Sequence, residues 1–422
     1  YAIREIARVR EHQALMSKTA TEILILHTIL SGIGYLIVFL LICSVTQIQA
    51  DIPLFLLLST SILFKAIGVE WFYNGVEDFK YITIRSIIIR LLSLAALFIF
   101  VKEKDDLFIY AAISVAGTVG SNVFNFFRLR KYVDTTTFGI KDLQVWRHFK
   151  PALKIFTLNL IISLYVNLDS IMLGFMKEDH TAVGYYTAAT RISKTLVGVV
   201  TSLGTVLLPR LSHLAGNNKM DEFKSLSAKS INFIIAFSLP LTIGVIFMAS
   251  PIIHLFCGRD FVPSILTLQI MAPIVLLIPL SGIYSMQILY ALGKEKLSII
   301  AVSFGAITNF TLNLFLIPGY AQYGAGVATV IAEFLVTLSA VLLGRKYVSF
   351  RMFSKEKIHY YIASLLIIAL LYFLRFSGMG EILYLITGTI GAAVLYIGYL
   401  AIVKDETLVR VTTLVRNKIN SR

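Results

Sequence analysis

The strongest constraint in this sequence is its succession of long apolar segments. About twelve stretches of roughly 20 mostly apolar residues follow one another, and 57% of the 422 residues are hydrophobic while 15% are charged. A bilayer span needs about 20 such residues, and only helices or closed β-barrels satisfy their backbone groups in hydrocarbon. Barrel strands alternate over roughly 10 residues, whereas these segments are longer and uniformly apolar. The sequence therefore predicts an all-α, polytopic membrane helical bundle.

The predicted spans are placed by apolar runs and by the prolines near their ends. They lie near residues 22–45, 51–72, 82–101, 106–127, 151–175, 181–208, 230–250, 263–290, 297–317, 323–344, 359–374 and 382–403.

The basic character of the chain has a topological explanation. The net charge is +14 and the isoelectric point about 9.6, values that are also typical of nucleic-acid-binding proteins. Most of the 38 Lys and Arg residues, however, lie in alternate connecting segments, beginning with the segment before residue 22. Such a bias places the basic segments in the cytoplasm. The charge therefore indicates membrane topology and no nucleic-acid partner.

Motifs for enzyme chemistry are scarce in this chain. No connecting segment is long enough for a soluble catalytic domain, and no GxxxxGK[ST] nucleotide-binding loop occurs. Cys43 and Cys257 are separate thiols that provide neither a disulfide framework nor a metal site. We therefore expect no enzyme, no catalytic residue, no metal ion and no cofactor.

Segment 181–208 carries the clearest polar pattern. Spacings of four and three residues put one polar or small stripe on a single helix face, made of Thr187, Arg191, Lys194, Gly198, Thr201 and Thr205. Arg191 lies about 15 Å from the outer end, near the midplane, where an uncompensated cation costs about 2.5–3.5 kcal/mol. The stripe predicts a hydrated cavity for an anionic ligand, with a structural ion pair or a helix–helix contact as the alternative.

The preceding segment, 151–175, also has a polar face. Asp169 lies roughly 80° away from that face, which carries Asn159, Ser163, Asn167 and Ser170. Because a short turn makes the two segments antiparallel, Asp169 is predicted to neutralise Arg191, and a substrate contact or a proton-carrier role stays open. Asn167 is a candidate substrate-binding residue.

Three further charged residues lie deep in predicted spans: Lys65, Arg90 and Glu333. Each alone is compatible with helix packing, because buried polar groups also hold membrane helices together, but their number favours a lumen. Cations outnumber acids in the spans, so a phosphate-bearing head group is the simplest ligand. Lys65 and Arg90 are candidate substrate-binding residues, and Glu333 and Asp169 are ion-pair or coupling candidates.

Three stretches resemble a known family of transporters. They are WFYNGVEDFKYITIRSIIIRLLSLAALFIFVKEKDD (71–106), NLDSIMLGFMKEDHTAVGYYTAATRISKTLVGVVTSLGTVLLPRLSHL (167–214) and LNLFLIPGYAQYGAGVATVIAE (312–333). The family is the Wzx-type O-antigen and capsule polysaccharide transporter branch of the multidrug/oligosaccharidyl-lipid/polysaccharide exporter superfamily, which also contains the MATE transporters. The similarity runs over essentially the whole chain, and the second stretch is the most specific.

The resemblance implies a MATE-like fold of two six-helix lobes around a central cavity, with an extra C-terminal helix pair. On that template the first two helices are lacking here. The expected divisions are a four-span N-terminal lobe (1–150), a six-span C-terminal lobe (151–350), and the extra pair with a basic tail (351–422). Related lipid II flippases use a cavity arginine, which corresponds by position to Arg191.

The implied activity is to flip undecaprenyl-diphosphate-linked oligosaccharide repeat units from the cytoplasmic to the outer leaflet of the bacterial cell membrane. The diphosphate would dock on Arg191 and Lys194 during alternating access, coupled to H⁺, Na⁺ or the membrane potential. Contacts with a polysaccharide polymerase and with glycosyltransferases are a further expectation. The alternatives are a cation-coupled multidrug antiporter, disfavoured by the excess of basic residues, and a membrane polymerase, disfavoured by the short outer loops.

Overall fold

The computed structural model describes residues 1–177, 180–202, 204–349, 355–405 and 408–409, in which every regular element is a helix. The longer helices are α1 (Ala2–Val9), α2 (Gln13–Ser44), α3 (Ile52–Gly75), α4 (Phe79–Phe100), α5 (Leu107–Leu129), α6 (Phe149–Met176), α7 (Thr181–Thr201), α8 (Gly204–Gly216), α9 (Met220–Cys257), α10 (Pro263–Leu289), α11 (Glu295–Gly344), α12 (Lys355–Phe376) and α13 (Glu381–Ile402). Each of the twelve predicted spans overlaps one of α2 to α7 and α9 to α13, and α11 contains two of them. The predicted span 181–208 is too long, because α7 ends at Thr201 and α8 begins at Gly204. The all-α prediction is confirmed.

The helices have the composition of membrane spans. Within the described ranges, nine are long and apolar enough to cross a bilayer. Much of their apolar surface faces outward, as on α4, where Ile88, Leu92 and Phe98 are 51%, 61% and 78% exposed. A soluble protein rarely exposes such continuous apolar surface, whereas hydrocarbon covers it. The chain is a multi-pass membrane protein.

The chain divides by packing into two compact units, residues Tyr1–Ile162 and Ser163–Arg422. Unit 1 contains α1 to α5 and the first half of α6, and unit 2 contains the second half of α6 and all later helices. The predicted divisions at residues 150 and 350 stay a prediction.

In unit 1, α3 is broken at Val69, whose φ is 40°. The break takes backbone carbonyls of the preceding turn out of the regular helical hydrogen-bond pattern, and side chains of α5 supply donors instead. Asn122 Nδ2 donates to the Phe64 carbonyl (3.0 Å), and Asn125 Nδ2 donates to the Gly68 carbonyl (2.6 Å). Because hydrocarbon offers no donors, these two amides allow α3 to bend and also tie it to α5.

A fully buried carboxylate fastens the connection before α6 to α2. Glu22 accepts a hydrogen bond from the backbone N–H of Gln144 (2.7 Å), lies 2.9 Å from Nε2 of His148, and pairs with Arg147 at 2.6 Å. The pairing compensates the large penalty of burying one charge. This segment is therefore held at the end of unit 1 by a specific network.

In unit 2, the last two helices pack against α9. The buried side chains of α12 and α13 belong to the same apolar cluster as those of α9. The hydroxyl of Tyr396 on α13 donates to the Ala236 carbonyl on α9 (2.7 Å). Helices α12 and α13 are therefore an integral part of this unit.

Helix α11 is interrupted at Ala321, whose backbone angles are φ 46° and ψ −126°. The break separates a first arm (295–320) from a second arm (322–344). The chain passes very close to itself here: a Cβ atom on Gly324 would lie 2.4 Å from the Leu316 carbonyl oxygen. Only glycine fits that contact without a backbone shift, so the two arms depend on it.

We predict that Gly324→Ala destabilises unit 2, because the added methyl group must displace backbone. The cost of such overpacking is about 1–3 kcal/mol, visible as a lower melting temperature in detergent by circular dichroism. Gly319→Ala is the matched control, because a Cβ atom there meets no atom within 4 Å. Equal melting temperatures for the two variants would contradict the close contact.

Candidate functional site

A buried carboxylate lies inside unit 2, on α6. Asp169 is 7% exposed. It accepts hydrogen bonds from the hydroxyl of Tyr186 (2.7 Å), from Nδ2 of Asn309 (2.9 Å) and of Asn313 (2.7 Å), and from Oγ1 of Thr329 (3.0 Å). Helices α6, α7 and both arms of α11 therefore meet at one acidic group. We call these five residues the Asp169 cluster.

The local sequence explains how the cluster is assembled. Asn309 and Asn313 are four residues apart on the first arm of α11, so they lie on the same helix face, and Asn313 Nδ2 also donates to Asn309 Oδ1 (3.2 Å). Thr329 lies on the second arm, beyond the break at Ala321. The chain reverses at that break, so both arms supply donors to one carboxylate.

The electrostatics of the cluster are unusual, because all four described partners of the carboxylate are neutral. Burying a charge without a counter-ion is costly, and hydrogen bonds to the charged form offset part of that cost. A polar atom is also left over, since Asn313 Oδ1 is buried and has no partner in the described structure. One carboxylate among amide and hydroxyl oxygens suits a proton or a monovalent cation.

A multivalent metal centre would need more ligands of other types. In the described part of the chain, no group of three or more His, Cys, Asp or Glu side chains lies close enough to hold a metal ion. Structural zinc sites use four Cys or His ligands, and transition metals select similar sets. The residues of the Asp169 cluster do not form such a set.

The predicted ion pair between Asp169 and Arg191 is wrong. Tyr186, which contacts Asp169, and Arg191 are five residues apart on α7, so they point about 140° away from each other. Arg191 lies on the exposed face of α7, whereas Ala189 and Ser193 form the buried face. Asp169 is thus satisfied by neutral donors, and its coupling role stays a prediction.

The basic stripe on α7 is exposed. Arg191, Lys194 and Gly198 are all exposed, and within the described ranges neither cation has a carboxylate within 4 Å. Lys194 Nζ reaches across to the Val166 carbonyl of α6 (3.4 Å). Asn167, next to Val166, is exposed as well. The structure therefore brings Lys194 to the part of α6 that carries Asn167. The roles of Arg191, Lys194 and Asn167 in substrate binding stay predictions.

The remaining candidates are dispersed. Lys65 on α3 and Arg90 on α4 are exposed residues of unit 1, and Glu333 is half-buried on the second arm of α11. Their roles in substrate binding or coupling stay predictions. The side chain of Thr205, the last member of the stripe, lies outside the described residues.

Sequence reasoning missed Tyr186 and the convergence on Asp169. Tyr186 lies on the buried face of α7, where the sequence pattern indicates a packing residue. The sequence signal for a further role is that a buried tyrosine hydroxyl needs a hydrogen-bond partner. Asn309 and Asn313, four residues apart, and Thr329 are polar positions within predicted spans, but they are 140 to 160 residues from Asp169 in the chain. Nothing in a single sequence connects positions so far apart.

Comparison with known sequences gives a consistent result. The family profile of polysaccharide biosynthesis proteins matches residues 1–215, and the MatE profile matches residues 155–315. A Shigella dysenteriae protein named as an O-antigen transporter is 26% identical over 337 residues, which cover 79% of this chain and 83% of that protein. A Rickettsia prowazekii protein named as the lipid II flippase MurJ is 27% identical over 180 residues, 42% of this chain and 34% of that protein.

Comparison with solved structures establishes the fold. The lipid II flippase MurJ in an inward closed conformation matches with a TM-score of 0.70 at 16% identity, over 95% of this chain and 91% of that one. An outward-facing multidrug resistance transporter of the MATE family matches with a TM-score of 0.56, over 82% of this chain and 80% of that one. The MATE-like membrane fold and the family resemblance predicted from sequence are confirmed. With a match over half its length, this chain belongs to the family of polysaccharide biosynthesis proteins.

Proposed function

We propose that this protein is a flippase that moves lipid-linked oligosaccharide repeat units across the bacterial cytoplasmic membrane for surface polysaccharide biosynthesis. One observation carries the proposal: Arg191 and Lys194 are exposed in the middle of α7, with no carboxylate within 4 Å in the described ranges. A cation at the depth of the membrane is costly unless water or an anion meets it. The diphosphate of a polyprenyl-linked glycan is such an anion.

The relatives support the same class of activity. Two are named for O-antigen transport and for lipid II flipping, and the family profile is that of polysaccharide biosynthesis. No catalytic step is part of the proposal. The sugar head group would be carried through without any bond being made or broken.

The chemistry of the basic stripe suits a diphosphate. Arginine can bind phosphate oxygens with two parallel N–H donors, and lysine adds a compact point charge. Arg191 and Lys194 are three residues apart and lie on one face of α7, so one diphosphate can contact both. Asn167 on the neighbouring helix adds a neutral donor for the phosphate or the first sugar. The lipid tail would stay in the bilayer during alternating access.

The Asp169 cluster supplies a coupling site for H⁺ or Na⁺. A proton would turn one carboxyl oxygen of Asp169 into a donor, and Na⁺ would occupy lone pairs of the carboxylate, so either ion would rearrange the hydrogen bonds from Asn309, Asn313, Thr329 and Tyr186. Those side chains belong to α6, α7 and both arms of α11, so ion binding would shift the relative energies of two packings of these helices. A ligand changes such an equilibrium by its difference in affinity for the two states.

The multidrug antiporter alternative has less support. The MATE structures share the fold with this chain, but their sequence identity of 16% is no evidence for a shared substrate. An exporter of cationic drugs needs exposed acidic groups to hold its cargo, whereas the exposed charges on α7 are Arg191 and Lys194. A flippase for an anionic lipid agrees better with these charges.

We predict that Arg191→Ala lowers flipping at least tenfold, because a charge-assisted contact to phosphate contributes about 1.5–3 kcal/mol and each 1.4 kcal/mol is a factor of ten. The assay measures the fraction of a fluorescent prenyl-diphosphate oligosaccharide in proteoliposomes that external dithionite can quench. Arg191→Lys should restore part of the rate. Arg345→Ala is the matched control, an exposed cation in a predicted cytoplasmic segment. Full activity of Arg191→Ala at normal insertion would refute the substrate assignment.

We predict that Asp169→Asn abolishes the response of flipping to an imposed H⁺ or Na⁺ gradient, because the substituted amide keeps the shape of the side chain but carries no charge to be neutralised. The measurement compares initial flipping rates with and without each gradient. Thr337→Val is the control, since it removes a buried hydrogen bond to the Leu277 carbonyl outside the cluster and should keep the gradient response. An unchanged response in Asp169→Asn would exclude this cluster from coupling.

A further inference from the structure

Unit 1 contains a cavity that the transport proposal does not use. It has a volume of about 700 Å³ and lies beside the first half of α4 and the end of α5. Its lining residues are Asp78, Lys80, Tyr81, Ile84, Arg85, Ile88, Ile89, Leu92, Phe124 and Arg128. The two ends of this cavity differ sharply in chemistry.

The end nearest the start of α4 is cationic. Arg85 is 8% exposed, and its Nη2 atom donates to Glu70 at 2.9 Å, but its buried Nε and Nη1 atoms have no partner in the described structure. Arg128 pairs with Asp78 at 2.9 Å and lies over the Tyr81 ring, 3.7 Å from its centroid. Buried donors without acceptors are rare and costly in native proteins. An anion in the cavity would provide the acceptor that the Arg85 guanidinium lacks.

An apolar stripe begins beside Arg85 and runs to the opposite end of the cavity. Ile84, Ile88 and Leu92 are spaced by four residues, so they form one stripe along α4, and they are 49%, 51% and 61% exposed. Phe124 of α5 faces the same space and is 58% exposed. A water-soluble anion would not bind this apolar surface, and a neutral hydrocarbon would not bind the arginines.

The position of the cavity fits the membrane surface. The predicted topology puts the start of α4 in the cytoplasm, and Leu92 lies about 20 Å further along the helix axis. The cationic end would then lie at the level of the lipid phosphates and the apolar stripe at the level of the acyl chains. Lys80, exposed at the start of α4, adds a third cation at the phosphate level.

We propose that this cavity is a binding site for an anionic phospholipid of the cytoplasmic leaflet, whose phosphate contacts Arg85 and Arg128 and whose acyl chain lies along Ile84, Ile88 and Leu92. Ordinary lipid contact explains the exposed apolar stripe alone. It does not explain a nine-tenths buried arginine with two unpaired donors beside that stripe. The proposal is independent of what the protein transports.

The test is native mass spectrometry of the full chain in detergent, titrated with phosphatidylglycerol. Arg85→Gln should weaken the tightest phosphatidylglycerol binding roughly fivefold, the equivalent of about 1 kcal/mol for one cation near anionic lipid. Ile88→Asn, at a half-exposed position of the apolar stripe, should weaken it as well, and circular dichroism checks that the variant keeps its helical content. Arg130→Gln is the matched control, because it removes an exposed cation two residues from Arg128 that does not line the cavity.

Competition experiments identify which kind of molecule supplies the phosphate. Phosphatidylglycerol should bind more tightly than phosphatidylcholine, and inorganic phosphate should not displace it. Parent-like binding by both Arg85→Gln and Ile88→Asn would overturn the proposal. Displacement by inorganic phosphate, or stronger binding of a prenyl diphosphate, would overturn the phospholipid assignment. Flipping activity is measured separately, so neither result depends on the transport proposal.

Discussion

Every polar group inside these helices must find its partner within the protein, because hydrocarbon offers none. Three hydrogen-bond networks in the structure satisfy that constraint. Asparagine side chains of α5 replace the helical donors where α3 breaks, Glu22 is held by a network of its own, and Asp169 is surrounded by four neutral donors. Each network joins helices that apolar packing alone would leave free to slide.

Groups that lack such a partner are therefore the informative ones. Arg191 and Lys194 are exposed on α7, and Arg85 keeps two buried donors without acceptors. An unpaired cation at depth costs several kcal/mol, so Arg191 and Lys194 need water or an anionic ligand. Arg85 is paired with Glu70, and its two remaining donors are the groups that lack an acceptor. The two basic places differ in surroundings. The stripe on α7 is accompanied by polar or small residues, which suits a hydrated head group, whereas Arg85 adjoins a wall of isoleucine and leucine, which suits a lipid with its tail.

The Asp169 cluster and the α7 stripe use different faces of the same helix, α7. Tyr186 points toward the carboxylate, and Arg191 points about 140° away from it. A pairing of Asp169 with Arg191 would have neutralised both charges and left neither available. Under the proposed mechanism, their separation leaves one charge for a small coupling cation and one for an anionic cargo.

The sequence by itself determined the helical character of the spans, their order and the membrane environment, because apolar length and loop charge act locally and additively. It also identified individual polar positions, among them Asp169 and Arg191. Only the tertiary structure decided which of them meet: the break at Ala321 turns α11 back on itself, and the resulting contacts connect residues 140 to 160 positions apart. Helical periodicity fixes the face on which a side chain lies, but the neighbour of that face depends on the packing of distant helices. The partners of Asp169 and of Arg85 could therefore not be obtained from the sequence alone.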